Sequence, residues 1–129
     1  MPDQNPLNAL RAAADAVRQQ LQVNAFDAAA VQRLDDFIEA ERITLKTESR
    51  EGVIRALGCF LGECIVQTYQ GEWATGPDGT TGVGMDHKLF FNPFYRVSQQ
   101  FAQGKAESVM GFFQEIPARL ATAPRKNWI

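Results

Sequence analysis

The residue best placed to do chemistry in this 129-residue chain is Glu63, set in an apolar run between Gly62 and Cys64, with Cys59 and Gln67 four residues to either side. A carboxylate held there needs hydrogen bonds or a cation; otherwise it is protonated, with a raised pKa. Two roles fit. One is a ligand-contacting or acid–base carboxylate; the other is a structural acid tying its helix to backbone amides or to an arginine of a neighbouring element. Structural networks perturb carboxylates as catalytic sites do, and the structural role is the one the sequence favours. Trp73, beside Glu72 at the start of a strand, is the second candidate. Its large amphipathic ring suits a pocket wall or an interface anchor. The commoner fate of a lone strand tryptophan is to close the core between sheet and helix.

Other constellations dissolve on inspection. Asp86 and His87 could form a proton-transfer pair, but adjacent strand or turn residues point apart, and no serine or cysteine nucleophile is set beside them. His87 reads as an exposed turn residue. Asp78-Gly79-Thr80-Thr81 is similar to the phosphate-binding loop of chaperonins, yet neither a P-loop nor a glycine-rich helix start follows it. A hairpin turn accounts for the same residues, with Pro77 at the second position and Gly79 supplying positive φ. Cys59 and Cys64 lie five apart on one expected helix, about 140° around its axis, and so do not bond to each other. With one histidine in the chain and no second cysteine pair, neither a metal site nor a cofactor is expected. No catalytic residue is assigned, and the chain reads as a non-enzyme.

The elements that must position these residues follow from periodicity. Asn5-Pro6 suits a helix start, and Leu7, Leu10, Ala14, Val17 and Leu21 recur at spacings of three and four. After Asn24 and Asp27, a second helix runs to about Arg42. Its apolar stripe is Val31, Leu34, Phe37 and Ile38, with Asp35, Asp36, Glu39 and Glu41 expected on the outer side. Thr47 is expected to cap a third helix, about Glu48 to Tyr69, apolar almost all round and therefore central. Gly58 and Gly62 within it weaken an isolated helix, so a neighbour must approach the backbone there. From Gly71 the texture changes. Strands at Glu72–Thr75, Thr80–Met85 and Leu89–Phe91, joined by short turns, imply an antiparallel meander. Gly82 and Gly84 leave a side-chain-free strip on one face. Asn92-Pro93 opens a fourth helix with Phe94, Val97 and Phe101 inward, ended by Gly104. A fifth runs from about Ala106, and Pro117 is expected to kink or end it.

The expected architecture is α+β: a three-stranded antiparallel meander packed against a buried central helix, with the remaining helices around it. It forms a single domain over 1–129, with flexible tails at 1–5 and 123–129; Trp128 and Ile129 either fold back, meet a second chain or stay disordered. Hydrophobic residues make up 45% of the chain, enough for one core. The net charge of −2 and the lack of a basic stripe argue against nucleic acid. Val53 to Val66, interrupted by Arg55 and Glu63, is too short to span a bilayer, and Met1-Pro2-Asp3-Gln4 carries no secretion signal. Two cysteines reading as small buried hydrophobes point to a reducing, cytoplasmic compartment.

Leu57-Gly58-Cys59-Phe60-Leu61-Gly62-Glu63, then Gly71-Glu72-Trp73, then Phe91-Asn92-Pro93-Phe94, resembles small bacterial domains of the family of unknown function numbered 3806. The likeness covers roughly Ile54 to Phe113 and rests on common residue types and the order of elements. It implies a helix-plus-meander fold and a bacterial cytosolic origin, and it carries no activity. Some such domains occur near toxin and immunity genes, which implies a protein-binding role. The leading expectation is a non-catalytic interaction module of immunity or regulatory type. Its partner is another protein or a second copy, and it uses aromatics around the sheet: Trp73, Phe90, Phe91, Phe94 and Tyr95. The alternative is a small-ligand site with Gly82 and Gly84 as floor and Glu63, Trp73 and Tyr95 as walls.

Overall fold

The computed structural model describes residues 6–76, 79–86 and 88–122. The axis of the fold is helix α3 (Thr47–Tyr69), in which every residue from Leu57 to Ile65 is buried. Helix α1 (Pro6–Leu21) lies along it and buries Ala14, Val17 and Leu21. Helices α2 (Ala28–Glu41) and α4 (Pro93–Gln103) also pack on α3, and α5 (Val109–Thr122) rests mainly on α2. The sheet of β1 (Glu72–Thr75), β2 (Thr81–Met85) and β3 (Leu89–Phe91) is an antiparallel meander in the order β1-β2-β3. This is the α+β arrangement, with the buried helix at its centre.

Local chemistry explains most of the boundaries. Asp27 caps α2 by accepting from the Ala30 amide at 3.0 Å, and Asn92 caps α4 through the Tyr95 amide at 3.0 Å. Gly104 ends α4 with φ +75° and ψ −151°, a region that is essentially glycine-only. Two arginines serve helix C-termini, where the dipole is negative: Arg50 donates to the Arg42 carbonyl at 2.9 Å, and Arg42 to that of Ala102 at 3.4 Å. Thr47 does not cap α3; it is the first helical residue, preceded by Lys46, which makes no side-chain cap bond.

The last helix departs from expectation at its start. A 3-10 turn, Gly104–Glu107, precedes it, so α5 begins at Val109 rather than Ala106. Pro117 does not end it; the helix continues to Thr122. Proline lacks the amide that would bond the Phe113 carbonyl four residues back. That carbonyl instead accepts from the Tyr69 hydroxyl at 3.1 Å, with the two rings 4.9 Å apart. Burial raises the Tyr69 pKa and keeps the hydroxyl a donor. Tyr69→Phe is therefore expected to cost about 1–2 kcal/mol in urea denaturation, and clearly less in a Pro117→Ala background, where the restored amide takes over. Equal costs in both backgrounds would refute the coupling.

Asn5, Pro77, Asp78, His87 and residues 123–129, with the helix start, turn, histidine and tail expectations attached to them, lie outside the described residues.

Candidate functional site

Glu63 is 5% exposed and saturated by its neighbours. Its Oε1 accepts from the indole Nε1 of Trp73 at 3.0 Å and its Oε2 from Gln67 Nε2 at 2.8 Å. Arg11 of α1 approaches Oε1 at 3.9 Å with a half-exposed side chain, a weak pair in solvent. The carboxylate thus binds β1 to α3 and orients the indole.

The helical glycines explain how the ring fits. A Cβ on Gly62 would stand 2.2 Å from the Trp73 ring, and one on Gly58 would stand 2.2 Å from the Phe94 ring. Gly58 and Gly62, one turn apart, are seats for two aromatic rings whose centroids are 6.2 Å apart. The close approach expected at these glycines is what the fold contains.

Phe94 also closes one side of a groove of about 600 Å³ between α1 and α3. Pro6, Leu10 and Ala13 form one wall, Ala56 and Cys59 the other, with Thr81 of β2 and Arg55 also lining it. Cys59 stands one helical turn before Glu63, so groove and carboxylate share a face of α3. Both cysteines are free and buried. Burial pushes the Cys59 thiol up, opposed by Arg55, and pushes the Cys64 thiol far above its ordinary range. Neither is a nucleophile at neutral pH. Among the described residues no group of three or more His, Cys, Asp or Glu side chains could hold a metal ion.

Of the walls and floor proposed from sequence for a ligand site, Glu63 and Trp73 come together; Tyr95, Gly82 and Gly84 do not join them. Trp73 pairs with Val83, whereas Gly82 and Gly84 pair with Ala74 and Glu72 and so lie on the opposite sheet face. There the Phe90 ring lies over Gly82, 2.6 Å from where a Cβ would stand. The glycine strip is a bed for Phe90, and it is not the floor of a cavity walled by Glu63 and Trp73. Tyr95 is 54% exposed on α4. Phe91 is buried and Trp73, Phe90 and Phe94 are half-buried, so most of the aromatic cluster is spent on packing.

A second polar centre lies where sequence placed a solvated acid. Asp35 is fully buried in α2. Its Oδ1 accepts from Gln100 Nε2 at 3.0 Å and Lys105 Nζ at 2.8 Å; its Oδ2 accepts from the Met110 amide at 3.1 Å and from the Ser108 hydroxyl in a short contact. Gln100 Oε1 in turn accepts from the Val109 amide at 2.8 Å, and Ser108 Oγ from the Gly111 amide at 3.1 Å. The first amides of α5 are thus capped by three side chains, two of them from other helices. Burial acts to raise the Asp35 pKa, but Lys105, Ser108, Gln100 and the Met110 amide together hold it below the ordinary value. A signal for this was present: Asp35 follows Val31 by four residues and precedes Ile38 by three, inside the apolar stripe.

No family model, curated protein or solved structure matches this sequence.

Proposed function

We propose that this chain is a non-catalytic binding module of a bacterial cytosol, in the manner of the small domains it resembles, and that the groove between α1 and α3 holds a small apolar ligand. The groove carries this reading. Its volume of about 600 Å³ lies within the range of small-molecule sites, and its walls are mostly alanine, leucine, proline, cysteine and phenylalanine. The two buried acids support a binding role over a catalytic one, since Glu63 and Asp35 are both saturated by partners that build the fold. Two free, buried cysteines suit a reducing compartment. Among the described residues no helix is long and apolar enough to cross a membrane.

Gly52 supplies the test. It lines the groove, and a Cβ there meets nothing within 4 Å, so a bulky side chain can fill the space without disturbing the core. In a thermal-shift screen, apolar compounds are expected to raise the melting midpoint of the wild-type protein. Gly52→Phe is expected to abolish the shift while leaving the unliganded midpoint almost unchanged. A shift that survives Gly52→Phe, or no shift with any apolar compound, would overturn the reading.

A protein partner of immunity or regulatory type, or a second copy of the chain, is the second reading. Its specific support is Tyr95, an exposed aromatic beside the groove-lining Phe94. Sedimentation over a rising concentration series, compared with Tyr95→Ala, tests self-association. A monomer at every concentration removes the second copy.

A further inference from the structure

We propose that the groove selects amphiphiles with an apolar body and a carboxylate head, and that Arg55 receives the head; this rests on the binding-module reading above. Among the described residues Thr81 is the one hydroxyl side chain lining the groove, so polar groups on the body of a ligand would be stranded there. Among the described residues Arg55 is the charged one lining it, and the nearby Arg11 is half-exposed. The acids close to these arginines do not compete strongly with a ligand. Glu63 has both oxygens hydrogen-bonded within the fold, and Glu51 holds Arg55 through one 3.5 Å contact, with side chains 68% (Arg55) and 87% (Glu51) exposed. Exposed pairs of this kind contribute little, so the guanidinium is available to a second carboxylate. A guanidinium offers paired donors that match a carboxylate's two oxygens, whereas a cationic head would be repelled. An apolar trough with a loosely held arginine at its edge is complementary to a medium-chain carboxylic acid.

The experiment is isothermal titration of the full chain with octanoate, decanoate, decanol and decyltrimethylammonium, each below its micellar concentration. Decanoate is expected to bind roughly fourfold more tightly for each methylene it has beyond octanoate. Decanol is expected to bind about two- to fivefold more weakly than decanoate, and the cation more weakly still. Arg55→Gln is expected to erase the preference for decanoate over decanol while leaving decanol binding unchanged. Equal binding of decanoate and decanol to the wild type would overturn the assignment of Arg55 and leave the apolar groove standing. Binding of none of the four would overturn the groove itself. Sedimentation with anionic phosphatidylglycerol vesicles, without decanoate binding, would replace the free acid by a membrane surface and so refute the proposal.

Discussion

Asp35→Ala is expected to destabilise the protein by about 3 kcal/mol, since it strands the half-buried Ser108 hydroxyl and Met110 amide and removes part of the α5 cap. Gln100 keeps a second acceptor in Glu39 at 2.8 Å, and Lys105 is well exposed, so those two donors add less. Asp35→Asn is expected to cost less than the alanine change. Its one oxygen can serve Ser108 and Met110, but its amide then faces the donors of Gln100 and Lys105. Chemical denaturation measures all three proteins, and a cost below about 1 kcal/mol for Asp35→Ala would show that the cap is dispensable.

The same carboxylate sets a pH dependence. Its pKa in the folded protein lies below the ordinary value, so ionised Asp35 stabilises the fold at all pH values above the unfolded pKa of about 3.9. That contribution is lost as the pH falls from there through the folded pKa. At the other end, hydrogen bonding and charge from Asp35 raise the Lys105 pKa, so its share is lost as the pH rises through that raised value. Acid denaturation of Asp35→Asn should therefore lack the component of the wild-type curve that belongs to Asp35. Identical acid limbs for the two proteins would contradict the assignment.

Gly62→Ala is the second large expected effect. The added methyl would stand 2.2 Å from the six-membered ring of Trp73, and the indole cannot move away without leaving its bond to Glu63. Overpacking of this kind costs about 1–3 kcal/mol, and loss of the hydrogen bond adds to it. The expected sum is about 3 kcal/mol, with a red shift of the Trp73 fluorescence measured in a Trp128→Phe background. Glu63→Gln is the control. It keeps an oxygen to accept from Trp73 and leaves the glycine seat intact, so it is expected to cost clearly less than Gly62→Ala. If Gly62→Ala folds with unchanged stability and emission, Trp73 does not depend on that seat.

The elements themselves were legible in the residues, because they depend on interactions a few positions apart. The strands at Glu72–Thr75 and Leu89–Phe91, the Asn92 cap, the stop at Gly104 and the buried α3 all follow from alternation, capping chemistry or apolar periodicity. Even the need for close neighbours at Gly58 and Gly62 was readable, since glycines so costly to a helix must be compensated elsewhere. Asp35 shows how residue type can mislead. At about 100° per residue it falls nearer the centre of the stripe formed by Val31, Leu34 and Ile38 than Phe37 does, yet an acid is read as solvated by default.

What only the tertiary structure decided is which groups meet across long stretches of chain. The partners of Asp35 lie 65 to 75 residues away, and Tyr69 reaches a carbonyl 44 residues on that Pro117 had left free. The groove exists because α1 and α3 lie side by side with small residues facing outward, and neither helix alone has a concave surface. Periodicity states which face of an element is apolar, but is silent on the element that covers it. The choice of partner belongs to packing, where shape and hydrogen-bond satisfaction are settled by the whole chain at once.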